Sequence, residues 1–302
     1  MKKILVATEK PFTKVAVDGI KEIVESNGFS LSLLEKYTEK QQLLDAVKDA
    51  AALIIRSDKV DAEVFDAASE LEIVVRAGAG YDNVDLPAAT AHHVTVMNTP
   101  GQNSNAVAEL VIAMLLFRCR NRFNGKAGSE LRGKTIGLYA YGNVARCLAQ
   151  IAKGFGMTVM AYRRRGINEE GIIAANSPAE LFEKCDIVSL HMPLTPETEK
   201  VVNYDLISKM KPNGIIVNTA RKEVINEEEL LKAFDERPDL SYLTDIAPKA
   251  LDAFTEKLGD RFFATPKKMG AQTAEANINA GLAAARQIVG FFKDGDTTFK
   301  VN

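Results

Sequence analysis

The chain has 302 residues, 46% of them hydrophobic and 26% charged, with a formal net charge of −2. That length provides for two domains of ordinary size, not one core. The near-neutral balance gives no global field for nucleic acid or an anionic membrane, so any anion site has to be built locally.

Met1-Lys2-Lys3 leads straight into Ile4-Leu5-Val6-Ala7. This run is too short for a signal peptide and no later run has bilayer-spanning length, which points to a cytoplasmic protein. Strand-like and helix-like segments then alternate: a strand Ile4 to Thr8, a helix Val15 to Glu25, a strand Leu31 to Leu34, a helix Gln41 to Ala50 and a strand Ala52 to Ile55. Two more units end in strands Ile73 to Val75 and Val94 to Met97. The alternation predicts a parallel sheet with helices on both faces. Ligands of such sheets sit beyond the carboxyl ends of the strands, which draws attention to Arg56-Ser57-Asp58-Lys59 and to Arg76-Ala77-Gly78-Ala79-Gly80. Arg56, Ser57 and Lys59 are candidates to hold a phosphate or second carboxylate. The Gly-Ala-Gly turn suits backbone N–H contact with a carboxylate, Asn83 adding an amide.

Asn98-Thr99-Pro100-Gly101 breaks the pattern and sets a domain boundary after residue 98. A long helix follows from Asn103 to Asn124, with more apolar surface than one buried face needs, so it is expected to contact a second subunit in a homodimer.

Leu131 to Arg165 reads as strand, turn, helix and second strand. The turn Ala140-Tyr141-Gly142-Asn143-Val144-Ala145 matches G-x-G-x-x-G only at Gly142; Ala145 falls within the tolerance of the third position and Ala140 departs at the first. Small residues here let backbone N–H groups and the helix N-terminus approach a pyrophosphate. Strands Asp186 to Met192, Gly214 to Thr219, Ser241 to Ile246 and Phe262 to Thr265 complete six, as a doubly wound dinucleotide domain requires. A last helix, Thr273 to Phe292, is expected to return to the first domain and leave the ligands in an interdomain cleft. The predicted fold is therefore α/β with two doubly wound parallel sheets, a flavodoxin-like substrate domain (1–98 plus 274–302) and a Rossmann dinucleotide-binding domain (99–273). Cys119, Cys147 and Cys185 lack metal-type spacing and read as buried thiols; with His92, His93 and His191 as the histidines, no metal site is expected.

Four stretches, Val75 to Asp85, Asn98 to Asn103, Val188 to Thr198 and Val217 to Arg221, resemble in order and spacing the D-2-hydroxyacid dehydrogenases, most closely their short-form phosphoglycerate dehydrogenase branch. The resemblance covers the whole chain. It implies NAD- or NADP-dependent oxidation of 3-phosphoglycerate to 3-phosphohydroxypyruvate, the first step of serine synthesis. It also implies Arg221 as the residue that orients substrate. The implied cofactor contacts, beyond Ala140, Tyr141, Gly142, Asn143 and Val144, are His191, Met192, Pro193, Thr198, Thr219, Ala220, Asp245 and Gly270.

Two departures matter. Where the family has its histidine base this chain has Lys268, with Lys267 beside it, and where a glutamate backs that base it has Ala250. Either lysine serves or the enzyme is inactive; burial beside Arg221 would lower the amine enough to accept a proton. The second strand of an NAD site ends in Asp or Glu, yet here Tyr162 is followed by Arg163-Arg164-Arg165, which suits a 2′-phosphate and tilts the reading toward NADP tolerance. A glyoxylate or hydroxypyruvate reductase and a non-catalytic nucleotide-sensing protein stand as alternatives.

Overall fold

The computed structural model describes residues 1–302, which form two compact units, Met1–Asn103 with Gln272–Asn302, and Ser104–Ala271. No helix is long and apolar enough to cross a membrane.

In the first unit, β1 (Lys3–Thr8), α1 (Lys14–Ser26), β2 (Ser30–Glu35), α2 (Lys40–Val47), β3 (Ala52–Ile55), α3 (Ala62–Ala67), β4 (Ile73–Arg76), α4 (Leu86–Ala91) and β5 (Thr95–Asn98) follow one another. The strands form a parallel five-stranded sheet ordered β2-β1-β3-β4-β5, the flavodoxin-like order. Alternate residues along a strand enter opposite cores, as the pleat dictates: Leu5 and Ala7 on one face, Ile4 and Val6 on the other. Each βαβ crossover leaves strand ends and loops on one rim, where Arg56, Gly78 and Asn83 lie.

The second unit runs through α5 (Ser104–Cys119), β6 (Thr135–Tyr139), α6 (Asn143–Gly154), β7 (Thr158–Tyr162), β8 (Ile173–Ala174), α7 (Pro178–Lys184), β9 (Ile187–Leu190), α8 (Tyr204–Ile207), β10 (Ile215–Asn218), α9 (Glu227–Glu236), β11 (Ser241–Thr244), α10 (Leu251–Leu258) and β12 (Phe262–Ala264). The final helix α11 (Ala274–Asp294) belongs to the first unit, where it packs on α1. The sheet order is β12-β11-β10-β9-β6-β7-β8, a dinucleotide-domain order with one strand more than the sequence indicates. The extra strand, β8, is two exposed residues at the sheet edge, too short to show a period. The helix expected through Asn124 stops at Cys119, because Asn121, Arg122 and Phe123 all take left-handed φ. Cys119 and Cys185 are buried as expected, but Cys147 is only partly so.

Gly137 on β6 shows why this sheet has so tight a core. A side chain there would meet the Cys185 sulfur at 2.8 Å, so the bare strand lets the end of α7 settle against it. The fully buried positions of α6 are Ala145, Leu148, Ala149 and Ala152.

Candidate cofactor and active site

The turn from β6 into α6 is shaped for an anion. Ala140 has φ of 71°, the left-handed backbone that a fingerprint glycine normally supplies. Gly142 is the N-cap of α6 and has ordinary extended backbone (φ −107°, ψ −158°), and a Cβ built on it meets nothing within 4 Å. The chain itself therefore gives no reason for glycine at 142; the open space in front of it is a cradle that a pyrophosphate would fill. Thr13, Asp85, Ser177, Asn203, Asn226 and Thr273 cap their helices with side chains, whereas Gly142 provides none and no acid lies in the first turn of α6. Its first N–H groups are thus left for a ligand. Asn143 is exposed and Val144 half-buried beside them.

Two further orphans lie past neighbouring strands. The Thr219 hydroxyl, after β10, and His191 Nε2, after β9, are buried without a hydrogen-bond partner. Burial pushes the His191 imidazole down to about 4, so it is neutral at physiological pH. With the bare Gly142 and the uncapped helix, these groups fit a dinucleotide lying over the carboxyl ends of β6, β9 and β10. Met192 is buried and Pro193 exposed. The Thr198 hydroxyl donates to Pro193 O and accepts from the Thr195 amide at 2.8 Å, so it closes its own turn. Ala220 donates to Asn218 Oδ1.

Tyr141 points inward. Its hydroxyl donates to Glu169 Oε1 at 2.7 Å, Arg146 pairs with the other oxygen, and the Arg146 guanidinium lies 5.1 Å from the Tyr141 ring centroid. Burial and the glutamate push the phenol up to about 12. The Tyr141 side chain therefore ties the turn to the loop after β7, and the part of this residue left for a cofactor is its backbone. Arg163 and Arg164 open that loop and are exposed, Arg163 turning its Nε to Gly166 O.

Arg221, the residue expected to orient substrate, is held by a residue not singled out from sequence. Asn218 is fully buried at the end of β10; its Nδ2 donates to Arg221 O at 2.9 Å while its Oδ1 accepts from Ala220. The half-buried Arg221 donates from Nη1 to Ala220 O. Lys267 and Lys268 are both exposed. The burial expected to lower the Lys268 amine is not supplied by the chain alone. Ala250, at the glutamate position, donates its amide to Glu227 Oε2 at 3.0 Å. Asp245 is buried at the end of β11 and accepts from the Thr265 hydroxyl and from the amides of Met269 and Gly270. Its Oδ2 accepts one bond only, from Gly270, which leaves acceptor capacity for the expected cofactor contact.

In the first unit the strand-end residues come together on the rim, but several donors are already spent. Arg56 gives Nη1 to the carbonyls of Lys10 and Pro11 and Nη2 to Asn277 Oδ1, with the Phe12 ring 5.2 Å from its guanidinium carbon. Asn277 is fixed in that orientation because its Nδ2 donates to Thr273 O. Buried Asp58 organises the corner by accepting from Tyr37 and from the amides of Glu9 and Arg56. Asn83 spends its Nδ2 on Asp58 O at 2.6 Å, so the amide expected to reach substrate is a brace. The anion cradle is likewise narrower than expected. Ala77 donates to Ile55 O and Gly78 to Arg76 O, leaving the amides of Ala79 and Gly80. Gly78 has φ of 153°, and any side chain there would collide with Arg76 Nη1. Arg76 also donates from Nε to Arg56 O. Ser57 is exposed, and exposed Lys59 lies 3.5 Å from an Asp61 oxygen.

The family model for the NAD-binding domain of D-isomer specific 2-hydroxyacid dehydrogenases matches residues 116–266. Among solved structures, NAD+-bound 3-phosphoglycerate dehydrogenase of Entamoeba histolytica is 48% identical, with a TM-score of 0.91 over 100% of this chain and 98% of that one. D-3-phosphoglycerate dehydrogenase of Methanocaldococcus jannaschii is 34% identical over 275 residues, 82% of this chain and 51% of the relative. Hydroxypyruvate reductase of Thermotoga maritima is 34% identical over 280 residues, 87% of this chain and 91% of the relative. The chain thus spans about half the length of some of the phosphoglycerate dehydrogenases it matches.

Proposed function

Since the chain belongs to the D-isomer specific 2-hydroxyacid dehydrogenase family, we propose that it oxidises 3-phosphoglycerate to 3-phosphohydroxypyruvate. The observation that carries the reading is end-to-end similarity to the Entamoeba phosphoglycerate dehydrogenase, at 48% identity against 34% for the hydroxypyruvate reductase. A bound nicotinamide would accept the C2 hydride. The bare Gly142, the uncapped start of α6 and the Thr219 hydroxyl would hold the dinucleotide. Arg221, braced by Asn218, orients the substrate carboxylate and polarises the C2 oxygen. Lys268, exposed on the loop after β12, takes the hydroxyl proton. Arg56 and Lys59 are assigned to the phosphate, and the amides of Ala79 and Gly80 to the carboxylate. Arg163 and Arg164 leave the adenosine end open to NADP as well as NAD. The protein works as a cytoplasmic homodimer.

Initial rates of reduced-nicotinamide formation from 3-phosphoglycerate, with each cofactor, test the reading. Lys268→Ala is expected to lose roughly 100-fold in turnover while still binding cofactor; full activity in that variant would reject the base. At least tenfold tighter binding of NAD would reject the cofactor reading. Reduction of glyoxylate or hydroxypyruvate without turnover of the phosphorylated acid would favour the reductase reading.

A further inference from the structure

The half-buried guanidinium of Arg56 meets only neutral acceptors. Its Nη1 donates to Lys10 O at 2.8 Å and to Pro11 O at 3.1 Å, its Nη2 donates to Asn277 Oδ1, and the Phe12 ring lies 5.2 Å from its central carbon. No carboxylate cancels the charge, and Nε–H is left without an acceptor. A buried cation held in this way is a ready partner for an oxyanion that carries several acceptor oxygens. Yet an acid stands two residues along the chain and is turned elsewhere. Asp58 is 4% exposed; its Oδ1 accepts from the Glu9 amide at 2.7 Å and the Tyr37 hydroxyl at 2.9 Å, and its Oδ2 accepts from the Arg56 amide at 3.1 Å. These donors follow β1, β2 and β3, so one carboxylate gathers three neighbouring strand ends. Tyr37 is buried as well, and burial together with Asp58 pushes its phenol up, which keeps it a donor. The turn fixed through Glu9 is the one whose Lys10 and Pro11 carbonyls hold the guanidinium, and the Thr8 hydroxyl steadies it further by donating to Lys10 O at 2.7 Å.

We propose that Asp58 and Tyr37 are positioning residues for the phosphorylated end of the substrate: the tyrosine hydroxyl and two amides hold the carboxylate away from the Arg56 guanidinium, and the gathered turn presents that cation to a phosphoryl group. This rests on the reading of Arg56 as a phosphate contact. Both residues act through Arg56 and the Glu9–Pro11 turn.

Reduction of 3-phosphohydroxypyruvate and of hydroxypyruvate, which differ by the phosphoryl group alone, tests this. Asp58→Asn removes a negative charge close to the phosphate, so electrostatics without positioning would lower KM for the phosphorylated acid. Lost positioning raises it. The expected result is a rise of roughly tenfold in the KM for 3-phosphohydroxypyruvate relative to that for hydroxypyruvate, with kcat moving less than KM. Tyr37→Phe keeps the charge and removes one bond, so the same ratio should rise by roughly threefold; it serves alone should the asparagine variant not fold. An unchanged or lowered KM for the phosphorylated acid would overturn the proposal, as would an equal rise for both acids, the mark of a merely structural role. Arg56→Ala separates the two readings. If it leaves KM for 3-phosphohydroxypyruvate unchanged, the assignment of Arg56 to the phosphate fails and this proposal with it. A large rise in Arg56→Ala beside wild-type kinetics in Asp58→Asn and Tyr37→Phe would sink the proposal alone.

Discussion

Replacing Ala140 by glycine separates what the phosphate turn costs the fold from what it does for a ligand. Ala140 sits at φ of 71°, and a left-handed backbone costs a residue with a Cβ about 1–2 kcal/mol. Glycine removes that strain but has more unfolded-state freedom to lose, about 0.5–1 kcal/mol. The net expectation for Ala140→Gly is stabilisation by about 0.5–1 kcal/mol, or an increase of roughly 1–4 °C in Tm. Gly142→Ala is the complementary change. Backbone at φ −107° and ψ −158° is open to alanine and its Cβ would meet no protein atom within 4 Å, so stability should move by no more than about 1 kcal/mol. Cofactor affinity should nevertheless drop at least tenfold, because the methyl group occupies the space kept for the pyrophosphate. Calorimetric melts of both variants, with fluorescence titration of reduced cofactor, read the two effects separately. A lower Tm in Ala140→Gly, or undiminished affinity in Gly142→Ala, would refute the reasoning.

Burial holds the His191 imidazole at about 4, below its ordinary 6.5. Between those values the unfolded chain binds the extra proton, so the histidine's contribution to stability falls as pH falls from 6.5 toward 4, by up to about 3 kcal/mol. His191→Gln should flatten that stretch of the Tm–pH curve, and superimposable slopes would dismiss the idea. Asn277→Ala removes the partner that holds the Arg56 guanidinium in place and should raise KM for a phosphorylated acid roughly tenfold through lost orientation. Unphosphorylated 2-hydroxy acids should be unaffected, and an equal rise for both would show that Asn277 serves stability alone.

The parallel sheets were legible because their strands are buried on both faces and read as short apolar runs closed by glycine or polar residues. β8 was not, since Ile173 and Ala174 are exposed and gain their pairing only from β7. The site divides in the same way. Gly142 and Arg221 announce themselves by position in a motif. Asn218, Asp58 and Asn277 do not, because their roles depend on which carbonyl or guanidinium the fold brings to them, 221 residues away in the case of Asn277 and Arg56. Asn83 and Thr198 illustrate the converse: a polar residue in the right motif whose hydrogen bonds are consumed by its own loop. The exposure of Lys268 follows from how the carboxylate of Asp245 gathers the loop around it, which no local pattern encodes.

The unequal placement of the cysteines makes the chain its own reporter. Cys119 and Cys185 are buried out of reach of an alkylating dye, and burial also pushes the Cys185 thiol up to about 12. Cys147, one turn into α6 from the phosphate turn, is the partly accessible thiol. A maleimide fluorophore would therefore attach at a single address without mutagenesis, close enough to the start of that helix for its emission to register the arrival of a nucleotide.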